Sequence, residues 1–260
     1  MTYLYVTEPN LPGHLAPRPY LHPVHTRRGV EVTALRPADH PHHLGAGIAI
    51  AHVATPEAKH NFWGGSTYVR GEGPRLLDNH GRQRHLGWTS RDADGFTERL
   101  AWTGRDGTDL LHERRTLAVR PAGEDYLIDL SFALTNITGG PVELGSSATN
   151  GRPGAGYGGF FWRAPGSRPD VLPVPEERAH GSHAPWVALQ TDAWTLAFAG
   201  GQGDPWFVRA AEFPGVGSAL AWSRPVVLRP GGTLRRTITT LVADGRLSPE
   251  AIAAHLTERQ

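Results

Sequence analysis

Residues 126–134, Tyr126-Leu127-Ile128-Asp129-Leu130-Ser131-Phe132-Ala133-Leu134, put Tyr126, Ile128, Leu130, Phe132 and Leu134 at every second position. Successive side chains of a β-strand point to opposite faces, so this alternation predicts a strand with one buried face in an antiparallel sheet. Working outward, residues 110–119 and 234–242 read as further strands, the second rich in β-branched Thr237, Ile238, Thr239, Thr240 and Val242. Shorter candidates are residues 20–25, 30–35, 47–53, 96–102, 142–147, 186–190, 194–199 and 219–222. Arg105-Asp106-Gly107, Thr138-Gly139-Gly140 and Arg229-Pro230-Gly231-Gly232 mark turns between them, without the strand-then-helix rhythm of a parallel sheet. The expected fold is all-β: one antiparallel β-sandwich or barrel domain over residues 1–260, with a short C-terminal helix. Ser248 as N-cap, Pro249 at the first helical position and Glu250 at the positive end of the dipole announce that helix. Ile252 and Leu256 fall on its packing face. Residues 163–183, with Pro165, Pro169, Pro173 and Pro175, read as an ordered loop or lid.

Composition excludes several kinds of function. The 26 basic and 25 acidic side chains of the 260 residues leave a formal charge of +1, so no global field gathers nucleic acid or an anionic membrane. The absence of cysteine removes disulfides, thiolate metal sites and a thiol nucleophile. The longest apolar stretch, residues 45–53, already contains His52 and is about half the length of a membrane span. Residues 1–20 lack a secretory signal pattern, so a soluble cytoplasmic protein without membrane or nucleic-acid partners is expected. No P-loop, G-x-S-x-G elbow or H-E-x-x-H helix occurs.

Histidine carries the most chemical information. Eight of the 14 lie in the first sixty positions: His14, His22, His25, His40, His42, His43, His52 and His60. The densest element is Asp39-His40-Pro41-His42-His43. On the approach to a strand, His40 and His42 would share a face and His43 would oppose them, although Pro41 cannot donate to a ladder. An imidazole near its ordinary pKa can move protons to and from a sugar hydroxyl or a carbon acid. Alternatively, His40 and His42 with Asp39 could hold a divalent metal that keeps one open position, or the histidines could simply bond backbone and water.

Aromatic residues gather beside glycines in Asn61-Phe62-Trp63-Gly64-Gly65 and Gly156-Tyr157-Gly158-Gly159-Phe160-Phe161-Trp162-Arg163, with Asp204-Pro205-Trp206-Phe207-Val208-Arg209 adding further rings. Flat ring faces stack on sugars, glycines permit close approach, and Arg163 or Arg209 can bind oxygens in a fork. Carboxylates suited to acid–base work are Asp39, Glu113, Asp129, Glu143 and Glu212; Glu113, within His112-Glu113-Arg114-Arg115, reads as half of a cross-strand ion pair.

These motifs resemble a known family. Arg18-Pro19-Tyr20-Leu21-His22-Pro23-Val24-His25, Asp39-His40-Pro41-His42-His43 and Asn61-Phe62-Trp63 are similar to the opening of a bacterial family labelled "methane oxygenase PmoA". Ile128-Asp129-Leu130, Gly158-Gly159 with Arg163 four residues on, and Pro205-Trp206-Phe207-Val208-Arg209 extend the resemblance. The membrane subunit of that name is polytopic, and no spanning segment is present here, so the label reads as a transferred misnomer. The resemblance implies a galactose-mutarotase-like β-supersandwich found beside sugar oxidoreductases, with His40, His42, His43, Asn61, Trp63, Arg163 and Arg209 as candidates. Many relatives have Lys-Glu-Gly where this chain has Thr149-Asn150-Gly151; if that glutamate is the family's base, this chain has lost it or uses another group.

The resulting expectation is a carbohydrate-processing enzyme whose substrate is a plain or oxidised sugar. His42, His43 and His40 would be catalytic, and Asn61, Trp63, Trp162, Arg163 and Arg209 would bind a small-molecule carbohydrate. No cofactor is expected, save a divalent metal on His40, His42 and Asp39. The alternatives are a non-catalytic sugar-binding or regulatory module and, following the label, a metal-dependent oxygenase.

Overall fold

The computed structural model describes residues 2–257. Two antiparallel sheets form its body. One has six strands in the order Tyr3–Val6, Tyr20–Val24, Ala46–Ala49, Gly159–Arg163, Gly215–Ser218, Trp206–Arg209. The other has eight, in the order Asp170–Leu172, Trp186–Gln190, Trp194–Gly200, Thr233–Asp244, Asp125–Asn136, Asp109–Ala122, Gly95–Thr103, Arg82–Arg91. A four-stranded and a two-stranded sheet complete the set. Asp125–Asn136 lies between its sequence neighbour Asp109–Ala122 and the distant Thr233–Asp244, and its burial alternates as the sequence requires.

The inner faces of the two large sheets meet in an apolar core. Phe160 and Trp162 of the six-stranded sheet touch Phe198 of the eight-stranded one, with ring centroids 6.0 and 5.8 Å apart. Tyr5 and Phe96 meet in the same way at 4.5 Å. A charged group is sealed within this layer. Arg115 donates from Nε and Nη2 to the Glu113 carboxylate at 2.6 and 2.8 Å, and Trp102 Nε1 adds a third bond at 2.8 Å. Glu113 therefore pairs with a residue two positions along its own strand, on the same face, and not across strands as expected. Tyr5 donates to Glu98, which also meets His85 Nδ1 at 2.6 Å. Buried charges are retained only when paired and hydrogen-bonded in this way.

The C-terminal helix, Pro249–Thr257, is capped by Ser248, whose Oγ accepts the Ala251 N–H at 3.2 Å. Ile252 and Leu256 are buried against Leu127 and Leu241 on the outer face of the eight-stranded sheet. No helix among the described residues is long and apolar enough to cross a membrane.

Several expected strands differ. Residues 30–35 make only isolated bridges, Glu31 to His25 and Leu35 to Leu44, while Ala34 N–H is diverted to the Arg163 carbonyl. The 47–53 stretch divides into Ala46–Ala49 and His52–Ala54, which belong to different sheets. Residues 219–222 are not a strand; Gly215–Ser218 precedes them. The 163–183 segment contains the edge strand Asp170–Leu172 and one helical turn, Glu176–Ala179.

Candidate functional site

The outer face of the six-stranded sheet carries the site. Phe160, Trp162, Trp206 and Val208 point into the core, so Phe161, Arg163, Phe207 and Arg209 must point outward. Gly215 and Gly217 make room beneath them: a Cβ at Gly215 would stand 3.0 Å from the Phe213 ring and 3.1 Å from that of Phe161. A cleft of about 410 Å³ opens on this face, lined among others by Asp39, His40, His42, His43, Trp63 and Arg209. That volume lies in the range of small-molecule pockets. A cavity of about 810 Å³, lined by His14, Asp78, His80 and Arg105, lies elsewhere, but Asp78 and Arg105 there are committed to each other at 2.7 Å.

The histidine element is not an extended strand. His40 N–H bonds the Pro37 carbonyl and His43 N–H the His40 carbonyl, each at 2.9 Å, so the chain makes two consecutive turns. Turning brings all three imidazoles together, where a strand would have sent His43 to the other side. His40 and His43 stack with centroids 4.6 Å apart and an interplanar angle of 14°, and His42 meets His43 edge-on at 4.8 Å. Buried Arg18 fixes the turns from below, donating to the carbonyls of Leu15, Ala16 and His42. Burial lowers its pKa to about 9.

Gly64 and Gly65 form a cradle for His42. Both have left-handed φ, +95° and +66°, and a Cβ on Gly65 would lie 2.7 Å from His42 Nδ1. Asn61 holds this loop: its Oδ1 accepts the N–H groups of Trp63 and Gly64 at 2.8 and 2.9 Å. Fully buried, Asn61 shapes the cleft without lining it.

Electrostatics separates the three imidazoles. Burial, reinforced by the charges of Arg18 and of neighbouring histidines, brings His42 down to about 3. His43 is pushed lower still, chiefly by burial, among the rings of Trp63, Phe161 and Phe213. Both are neutral at physiological pH. The His40 side chain is half-buried, 35% exposed, and its Nδ1 lies 2.8 Å from Asp39 Oδ2. Arg163 Nη2 reaches the same oxygen at 3.2 Å while its guanidinium lies 4.4 Å from the centre of the Phe213 ring. Burial tends to raise the Asp39 pKa, but the His40 hydrogen bond and the Arg163 charge outweigh it and hold the carboxyl below its usual range. Arg163 is only 6% exposed, and its Nε and Nη1 have no partner among the described residues.

The donor set does not fit a metal. His40 and His42 meet edge-on with ring centroids 5.7 Å apart and an interplanar angle of 64°, and Asp39 Oδ2 is engaged by His40 and Arg163. Among the described residues no group of three His, Asp or Glu side chains is arranged to hold an ion. His40, His42 and Asp39, the set expected from the sequence, do not form such a group.

Of the residues singled out from sequence, the cleft collects His40, His42, His43, Trp63 and Arg209, with Arg163 behind Asp39. Trp162 does not reach it: its ring is core, and its Nε1 donates to the Val32 carbonyl at 2.8 Å. Trp162 and Arg163 are adjacent in a strand and cannot both face one cleft; alternation would have selected Phe161 with Arg163. Tyr157, Phe161, Phe207, Phe213 and Arg152 also line the cleft, as does Glu212, one of the candidate carboxylates. The Thr149-Asn150-Gly151 segment lies in a turn beside it, where Asn150 donates to the Tyr68 carbonyl.

Residues 1–257 match the model of a family described as "Family of unknown function (DUF6807)", and the chain belongs to it. The methane-oxygenase label is not part of that description. No curated protein matches the chain. Among solved structures, it is similar to a putative aldose 1-epimerase from Escherichia coli K12 at 10% identity and a TM-score of 0.47, over 83% of this chain and 89% of that one. It is also similar to a polysaccharide lyase at 12% identity and a TM-score of 0.37, over 95% of this chain and 33% of that one.

Proposed function

We propose that this DUF6807 member binds a carbohydrate in the cleft and moves a proton on it through His40. The observation that carries this reading is the Asp39–His40 pair at a hollow walled by aromatic rings. With Nδ1–H donated to Asp39, His40 offers its Nε2 lone pair to a proton from a sugar hydroxyl or from a carbon next to a carbonyl, and returns that proton at a second atom. Arg163 fixes Asp39, which fixes the imidazole. His42 and His43 serve as neutral hydrogen-bonding groups: a base whose pKa lies several units below working pH is weak, so His40 takes the proton-transfer role. Trp63, Tyr157 and Phe207 hold the apolar faces of the sugar ring, and Arg209 its oxygens. Proton relocation of this kind is the chemistry of sugar isomerases and epimerases, and its first half, removal of a proton beside a carbonyl, is that of lyases.

The test follows a panel of aldoses and uronates by ¹H NMR, with saturation transfer reporting binding and anomer exchange or solvent deuterium uptake reporting proton transfer. His40→Ala should lower the exchange rate by about 10²–10⁴-fold with binding kept within about threefold. Asp39→Asn should act in the same direction. Binding without proton transfer on any panel member would sink the catalytic reading and leave a sugar-binding module; unchanged turnover in His40→Ala would remove His40 from it.

A further inference from the structure

We propose that the sugar is anionic, its carboxylate or phosphate held between Arg152 and Arg209; this rests on the carbohydrate reading above and specifies its substrate class. The charge arrangement of the cleft motivates the assignment. Two arginines, Arg152 and Arg209, and two carboxylates, Asp39 and Glu212, line it, and Asp39 is already engaged by Arg163 behind it. Arg163 is matched by Asp39 at 3.2 Å. The one carboxylate within ion-pair distance of Arg209 among the described residues is Glu212, at 3.8 Å and with a side chain 75% exposed, a separation and exposure at which an ion pair contributes little. No carboxylate among the described residues lies within ion-pair distance of Arg152, although it lines the same cleft. Two guanidinium groups that repel each other in one hollow do not stabilise the fold. They do suit an anion that accepts from both.

The Arg209 side chain is oriented in advance. Its Nη1 donates to the Val208 carbonyl at 2.9 Å and approaches His180 Nδ1 at 3.0 Å, with the guanidinium 4.5 Å from the centre of the Phe207 ring. Burial lowers its pKa; Glu212 and Glu176 oppose that, and the Arg152 charge adds to the lowering, so the two cations sense each other. His180 joins the two halves of the clamp. Its Nε2 meets the carbonyl of Gly154, two residues from Arg152, at 2.9 Å, while Arg209 Nη1 lies 3.0 and 3.2 Å from its Nδ1 and Nε2 and the Val208 N–H donates to Nδ1 at 3.3 Å. With Nε2–H given to Gly154, Nδ1 is the acceptor for Arg209. The Arg152 loop is further pinned by Arg152 N–H to the Ser147 carbonyl at 2.9 Å. Fixing donors before the ligand arrives is what makes a clamp selective. From the imidazoles, Arg209 is reached through successive ring contacts, His43 to Trp63 to Tyr157 to Phe207. His40, Arg152 and Arg209 line one cleft, so a sugar there can present an acid group to the clamp and a hydroxyl to His40.

Dissociation constants for glucose, glucuronate, galactose, galacturonate and glucose 6-phosphate, with acetate and inorganic phosphate alone as controls, test the assignment on wild-type protein, Arg152→Ala and Arg209→Gln. At least one acidic sugar should bind about tenfold or more tightly than its neutral parent. Whether uronate or phosphate gains more identifies the acid group. Arg152→Ala should bring that pair to within about threefold; Arg152 is exposed, so this variant should melt like wild type. Equal binding of neutral and acidic partners, or a preference that survives Arg152→Ala, overturns the clamp and leaves the carbohydrate reading standing. If no sugar binds, both fall. Acetate or phosphate binding as tightly as the acidic sugars would also overturn the assignment, since an anion alone would then account for the site.

Discussion

The cradle beneath His42 can be tested by adding a single carbon. Gly65→Ala introduces two separable costs. The left-handed φ of +66° disfavours any L side chain by about 1–2 kcal/mol. The new Cβ would also stand 2.7 Å from His42 Nδ1 and 2.9 Å from Cε1, whereas ordinary contact is roughly 3.5–4.0 Å, so the ring must move by about 1 Å. Such overpacking adds about 1–3 kcal/mol. Gly29→Ala is the control, since Gly29 has a φ of +88° with no atom within 4 Å of the added Cβ. Chemical denaturation should show both variants destabilised, with Gly65→Ala about 1–3 kcal/mol worse. Long-range ¹H–¹⁵N histidine spectra should show the His42 ring signals displaced in Gly65→Ala and unmoved in Gly29→Ala. A shift of about 1 Å at a reacting site can cost on the order of 10²-fold in rate, so any turnover should fall with it. Equal destabilisation of the two variants, with His42 signals in place, would refute the packing of this imidazole on Gly65 and its place in the cleft.

Two other predictions concern stability. His42, held at about 3, and His43, held lower, refuse protons that the unfolded chain accepts near 6.5. The unfolded state therefore binds more protons between pH 6.5 and about 3, and stability falls as pH drops through that window, by up to about 1.4 kcal/mol per unit per imidazole. Replacing His43 by Phe should flatten the dependence measured by urea titration between pH 6.5 and 4.5; an unchanged slope would mean that His43 titrates normally. In the core, Arg115→Met strips Glu113 of its buried counter-charge and should cost about 3–5 kcal/mol. At this chain length that lowers Tm by about 10 °C. Arg115→Met/Glu113→Leu should recover much of the loss, and a single variant costing under about 1 kcal/mol would show the pair to be solvated.

What could be read from the sequence was whatever rested on uninterrupted periodicity. Residues 126–134 alternate cleanly because both neighbours of that strand are long and regular, and the Ser248-Pro249-Glu250 start left little choice about the final helix. Gly215–Ser218 was hidden because Gly215 and Gly217, which clear space for Phe161 and Phe213, erase any alternation. The histidine element drew attention by its density, but its geometry depends on two hydrogen-bonded turns and on Arg18 some twenty residues earlier, which spacing does not encode. Trp162 attracted the sugar-binding role as a ring in a glycine-flanked aromatic run. Parity within its strand was the better guide, and it pointed to Phe161.

That parity has an evolutionary consequence. Along Gly159–Arg163 and Trp206–Arg209, the positions that fill the interior and those that face the cleft side interleave one for one. Selection can therefore revise ligand preference at 161, 207 and 209 while Phe160, Trp162, Trp206 and Val208 stay untouched. A combinatorial library confined to the outward positions should yield altered preferences on a scaffold whose melting behaviour scarcely changes.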